Sequence, residues 1–382
     1  MTVTAPQGFR AAGVAAGLKS GGPDVALVVN DGPLDTAAGV FTTNRVTAAP
    51  VRWSRQVLST GRLKAIVLNS GGANACTGPA GFQDTHTTAE RAAAALGIGA
   101  VDVAVCSTGL IGVRLDMDKL LPGVDEAVAA LHTGGGAEAA AAILTTDAVT
   151  KESVYDGSGW TIGGMAKGAG MLAPALATML AVVTTDAVVD PATAEMALRV
   201  ATAQTFDRVD SDGCMSTNDT LLFMASGASG VRPGHQELTA ALTAVCADLA
   251  ARLLADAEGS TKDIEVTVLG ASTVDDALEV ARSIARSNLL KCAMYGEDPN
   301  WGRVLAAVGT TGAAFDPDQL DVAMNGVAVC AQGAAAADRS TVDLSGRRVV
   351  IAVDLNSGRE TATVWTNDLS VGYVRENSAY AS

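Results

Sequence analysis

Short apolar runs rich in Val, Ile, Leu and Thr, each closed by Gly, Asp, Asn or Ser, recur along the chain. They predict strands at Val25–Val29, Ala65–Leu68, Val101–Cys106, Thr178–Val183, Leu221–Met224, Glu265–Leu269, Val349–Val353 and Thr361–Trp365. Longer stretches repeat apolar residues at helical spacing and predict helices at Thr87–Leu96, Met117–Leu131, Pro191–Thr202, Gln236–Asp256 and Val274–Arg286. In the fourth, Leu238, Leu242, Val245, Leu249 and Leu253 form one face. Asp190 before Pro191 reads as an N-cap with proline in the first turn. Helices and strands alternate irregularly, so the expected fold is α/β (α+β), with layered mixed sheets and helices rather than a regular βαβ repeat.

Composition narrows the picture. The chain has 382 residues, enough for one large or two medium domains, and is 48% hydrophobic and 18% charged. Aromatics are only 4%, so Ala, Val and Leu must build the core. A net charge of −15, with no basic run longer than Arg347-Arg348, argues against nucleic acid as a partner. The six cysteines show no CxxC and read as reduced, buried thiols rather than a disulfide framework. The N-terminus, Met1 to Lys19, has no continuous apolar segment of the secretory kind. The uncharged run Gly168–Thr185 brushes spanning length, but its glycines and Pro174 read as a turn leading into a buried strand. The expectation is a cytoplasmic protein with no membrane partner.

Several chemistries lack their signatures. There is no HExxH, no GxxxxGK[ST] and no GxSxG, and His86, His132 and His235 are far apart, so no metal site is expected. Gly168-Ala169-Gly170-Met171-Leu172-Ala173 matches a dinucleotide fingerprint, but that fingerprint must open a helix, and here Pro174 and a β-like run follow. The same segment suits self-cleavage. Thr178 follows the small Ala177 and precedes an apolar run. A threonine hydroxyl can attack the preceding carbonyl and convert the peptide bond to an ester that water opens. The product is an N-terminal threonine whose own α-amine, with a reference pKa near 8, can serve as base for its Oγ. Taken alone, Ala-Thr before an apolar run is ordinarily just a strand.

Resemblance changes that weighting. KGAGMLAPALATML, with LNSGGANACTG (Leu68–Gly78), CSTGLIG (Cys106–Gly112), ILTTD (Ile143–Asp147), DSDGCMSTNDT (Asp210–Thr220), AEGSTK (Ala257–Lys262), GEDPNWGR (Gly296–Arg303) and ENSAYAS (Glu376–Ser382), resembles the ornithine acetyltransferase family. These are the glutamate N-acetyltransferases of the cyclic arginine pathway, and the blocks fall in the family's order over nearly the whole chain. The resemblance implies an N-terminal-nucleophile-like acyltransferase fold and self-cleavage between Ala177 and Thr178. The products would be an α chain of residues 1–177 and a β chain of residues 178–382, intertwined and assembled as an α2β2 heterotetramer.

It further implies that Thr178 carries acetyl from N-acetylornithine to glutamate, with Thr108 and Gly109 as the oxyanion hole. Substrate-binding positions would be Thr178, Lys167, Glu258, Asn377 and Ser382, with Thr145 or Thr146 from the ILTTD block. A lysine can hold a carboxylate and a glutamate an ammonium, which suits amino-acid substrates. No cofactor is implied, although acetyl-CoA serves some members as an alternative donor. The competing reading is an N-terminal-nucleophile amidase or aminopeptidase, which would hand the acyl group to water.

Overall fold

The computed structural model describes residues 2–172 and 179–379. Three mixed sheets and their helices form the layers that the pattern predicts. A four-stranded sheet runs Phe9–Val14, Val25–Asn30, Ala65–Asn69, Val103–Ser107 across its width. A five-stranded sheet runs Thr36–Phe41, Thr220–Ala225, Leu180–Thr185, Thr161–Lys167, Lys151–Asp156. A six-stranded sheet places Asp263–Ala271 between Arg348–Asp354 and Glu360–Asn367.

The five-stranded sheet is the central layer. Successive strand residues face opposite ways. Accordingly, Leu180, Val182, Leu222 and Met224 enter the core shared with the four-stranded sheet. Ala181, Val183, Leu221 and Phe223 enter the core beneath helices Pro191–Gln204 and His235–Ala255. Leu180–Thr185 is buried along its whole length and lies parallel to Thr220–Ala225, as a strand covered on both faces should be. The six-stranded sheet has its own core with helices Val274–Ala285, Asn288–Tyr295 and Trp301–Val308.

The five predicted helices all form, at Gly78–Leu96, Met117–Ala129, Pro191–Gln204, His235–Ala255 and Val274–Ala285. The Asp190 carboxylate caps the third by accepting from Thr193 N–H at 3.0 Å. His235–Ala255 is long and apolar enough to span a membrane by length and composition. Its Leu238, Leu242, Val245, Leu249 and Leu253 stripe is instead buried in the core. The cysteine expectation needs correcting in one respect: all six are free thiols, but Cys76, Cys214 and Cys292 are exposed. Cys292, for example, lies on the outer face of its helix between the buried Lys291 and Ala293.

Candidate active site

The blocks LNSGG, CSTGLIG and DSDGCMSTNDT, remote in sequence, meet at the C-terminal end of the Val103–Ser107 strand. Ala65–Asn69 and Val103–Ser107 run parallel, bringing Asn69 beside Ser107. Ser107 Oγ donates to Asn69 Oδ1 at 2.6 Å, and Thr108 N–H donates to Asn69 O at 3.0 Å. Asn218 ties the third block in, donating from Nδ2 to Ala73 O and Ser107 O at 2.6 and 2.8 Å. Gly109 then turns with φ +131°, and a Cβ there would stand 2.5 Å from Gly72 N, so only glycine fits. Among the described residues the Gly109 N–H has no acceptor.

Lys167 ends the Thr161–Lys167 strand and is only 2% exposed. Its Nζ donates to Thr145 Oγ1 at 2.7 Å and to Thr108 Oγ1 at 3.3 Å. Because Thr108 Oγ1 accepts from the lysine, its own O–H remains a donor for another oxygen. Thr108 O–H and Gly109 N–H are therefore two adjacent donors, the chemistry an oxyanion needs.

A buried charge network supports Lys167. Asp147 lies 3.8 Å from Lys167 Nζ, accepts from Lys151 Nζ at 2.6 Å, and accepts from the N–H groups of Gly168 and Thr145 at 2.5 and 3.1 Å. Lys151 also donates to Asp256 at 2.6 Å. Burial pushes the Asp147 carboxyl up, but the charges of Lys167 and Lys151 and the donated hydrogen bonds outweigh it and hold it at about 2. Burial lowers Lys167 from the usual lysine range against the opposing pull of Asp147.

Across the cavity, Glu258 N–H donates to Ala169 O at 2.8 Å, and its carboxylate accepts from Asn377 Nδ2 at 2.9 Å. Asn377 projects from the Val371–Ala379 helix. A cavity of about 480 Å³ is lined by Thr108, Gly109, Thr145, Thr146, Lys167, Glu258 and Asn377 together. Both threonines of the ILTTD block reach it, and Thr145 is the one that Lys167 holds. Ala177, Thr178 and Ser382 lie outside the described residues. Lys167 pairs with Leu180 across the sheet, which places the chain just beyond Thr178 beside the cavity. The fingerprint at Gly168–Ala173 follows a strand, but the next described element is the Leu180–Thr185 strand rather than a helix.

Sequence reasoning did not single out Asp147, Lys151, Asp219 or Asn218. Asp147 and Lys151 are four apart, but in an irregular segment and strand rather than a helix, so spacing carried no signal of their pairing. Among the described residues no cluster of His, Cys, Asp or Glu could hold a metal.

A model described as the ArgJ family matches residues 10–382. The arginine biosynthesis bifunctional protein ArgJ of Streptomyces avermitilis is 66% identical over the whole of both chains. The protein of the same description from Thermobifida fusca is 63% identical, again over the whole of both. Among solved structures, ornithine acetyltransferase complexed with ornithine, from Mycobacterium tuberculosis, is 64% identical. That likeness covers 47% of this chain and 96% of that one, with a TM-score of 0.45.

Proposed function

The chain belongs to the ArgJ family, and from that membership we propose that it is a self-cleaving acetyltransferase of arginine biosynthesis, moving acetyl from N-acetylornithine to glutamate. The observation that carries the reading is convergence. Thr108, Gly109, Thr145, Lys167, Glu258 and Asn377, drawn from five separated blocks, line one cavity beside the strand that follows Thr178.

In this reading, Thr178 Oγ attacks the Ala177 carbonyl, the peptide bond becomes an ester, and water releases residues 1–177 from an N-terminal threonine. The freed α-amine then acts as base while Oγ attacks the acetyl carbonyl of N-acetylornithine. Negative charge gathers on the carbonyl oxygen between the Thr108 hydroxyl and the Gly109 N–H, where preorganised donors act most strongly. Ornithine departs, and the amine of glutamate attacks the acetyl-threonine ester. Lys167, with one of its three donors not engaged by the two threonines, faces substrate carboxylate. Glu258, oriented by Asn377, faces substrate ammonium. Ser382 completes the binding set, and Thr146 lines the same wall. No cofactor is required, and acetyl-CoA is a second candidate donor. The working assembly is an α2β2 heterotetramer in the cytoplasm.

Intact mass of the purified protein tests the premise: two fragments of 177 and 205 residues (382 − 177), the second starting at Thr178, are expected. Thr178→Ala should give one uncut chain without activity. Acetyl release from the acetylated enzyme, followed with and without glutamate, separates transferase from amidase. Release that glutamate does not accelerate would sink the transferase reading.

A further inference from the structure

The cavity that holds Thr108, Lys167 and Glu258 has a second lysine on its wall. Lys19 lies in the loop of residues 15–24 between the Phe9–Val14 and Val25–Asn30 strands, and Leu18, Lys19, Ser20 and Gly21 line the cavity. Asp24, inaccessible to solvent, folds this loop. Its carboxylate accepts from the N–H groups of Ala16, Leu18 and Lys19 at 2.6, 2.5 and 3.2 Å. The loop also packs on Gly71, where a Cβ would stand 2.9 Å from Leu18 O. The backbone that carries Lys19 is therefore fixed.

Lys19 Nζ donates to Leu144 O at 2.8 Å, and Lys167 Nζ donates to the next residue, Thr145 Oγ1, at 2.7 Å. The two ammonium groups thus stand on the same wall. Lys167 has Asp147 at 3.8 Å. Lys19 feels Asp24 and Asp147 through space, but among the described residues no carboxylate comes within ion-pair distance of it. Burial lowers Lys19 from the usual lysine range against the pull of those two aspartates. An ammonium has three donors, and among the described residues Leu144 O takes only one of them.

The two amino acids make different demands on this cavity. Each has an α-carboxylate, which Lys167 can hold. Beyond it, N-acetylornithine carries an ammonium, which suits Glu258, whereas glutamate carries a second carboxylate, which Glu258 repels. A carboxylate taken out of water needs a cation or fixed donors, and Lys19 is the cavity lysine with no carboxylate of its own. We propose that Lys19 holds the side-chain carboxylate of glutamate and so selects glutamate as acetyl acceptor, an inference that rests on the acetyl-exchange reading above. One cavity then serves side chains of opposite sign by turning them to opposite walls, ornithine's toward Glu258 and glutamate's toward Lys19.

The test compares glutamate with glutamine, which keeps the shape and loses the charge, as acceptors of acetyl from N-acetylornithine. Wild type, Lys19→Met and Lys19→Arg are assayed in the steady state, with calorimetry and intact mass to follow folding and self-cleavage. The wild type should favour glutamate. Lys19→Met should lower kcat/KM for glutamate roughly 10- to 100-fold, the loss of a charge-assisted hydrogen bond. It should leave kcat/KM for glutamine nearly unchanged, so that the preference disappears. Lys19→Arg, which keeps the charge, should retain most of the preference. The KM for N-acetylornithine should shift far less than the KM for glutamate.

A Lys19→Met enzyme that keeps the wild-type ratio of glutamate to glutamine overturns the inference while the proposed function stands. Equal losses with glutamate, glutamine and N-acetylornithine overturn it too, because they assign Lys19 to the α-carboxylate that all three share. If Lys19→Met does not fold, Lys19→Gln, which can still donate to Leu144 O, is read instead, and an unchanged preference there overturns the inference. A wild type that passes no acetyl from N-acetylornithine to either acceptor removes the proposed function and this inference with it.

Discussion

At Gly109 one backbone angle decides which residue can stand there. Its φ of +131° and its approach to Gly72 let no side chain in, and its N–H, without an acceptor among the described residues, is open to the proposed oxyanion role. Gly109→Ala should lower kcat roughly 100- to 1,000-fold, the usual loss for one oxyanion donor, and should also slow cleavage of the newly made chain. Steady-state acetyl transfer and intact mass check both. Asp147 acts through charge. Its folded value of about 2 lies below the ordinary 3.8, which at about 1.36 kcal/mol per unit amounts to roughly 2–3 kcal/mol of stability. Because the folded value is depressed, that stability is present above about pH 4 and is lost as pH falls towards 2. Asp147→Asn should therefore lower Tm at neutral pH and flatten its acid decline, as calorimetry over a pH series would show.

At the scale of elements, legibility followed side-chain chemistry. Strands dense in Val, Ile and Leu, such as Val25–Asn30 and Arg348–Asp354, stand where their composition predicts. The strand Thr161–Lys167, which delivers Lys167, reads TIGGMAK and shows no β signal of its own. Its glycines answer to packing: a Cβ on Gly163 would stand 2.1 Å from Thr2 O, a long-range contact that no local pattern reveals. The Val101–Cys106 prediction is shifted, because residues 100–102 form a 3₁₀ turn before the Val103–Ser107 strand.

The Val371–Ala379 helix, VGYVRENSA, has no buried stripe and escaped the periodicity reading. Asn377 emerged only through its family block. That helix is exposed, so its end can go without opening a core. Removing residues 377–382 should abolish turnover while leaving Tm within a few degrees of the full chain, because Glu258 loses the amide that orients it. Full activity in the truncated protein would show that the tail is not part of the site.

Across the whole molecule, the proposed cut at Thr178 would not divide one core from another. Within the central sheet, Thr36–Phe41, Lys151–Asp156 and Thr161–Lys167 come before it, whereas Leu180–Thr185 and Thr220–Ala225 come after it. Thr161–Lys167 pairs antiparallel with Leu180–Thr185, and Thr36–Phe41 pairs with Thr220–Ala225, so both seams between fragments are complete strand ladders. The charge network spans the same cut, since Lys151 grips Asp147 before it and Asp256 after it. Separating the fragments would strip a buried sheet of its hydrogen bonds and expose apolar side chains on both faces. Cleavage should therefore change the denatured mass but not the native one, which for an α2β2 assembly is twice 38.3 kDa. Residues 178–382 made alone lack the strands on either side of Leu180–Thr185 and Thr220–Ala225 and should aggregate through the open edges. Co-expression of residues 1–177 with residues 178–382 preceded by a removable leader should instead recover a soluble, active protein. Size-exclusion with intact mass and an acetyl-transfer assay reads both outcomes, and a well-folded, monomeric 178–382 fragment would contradict the shared-sheet argument.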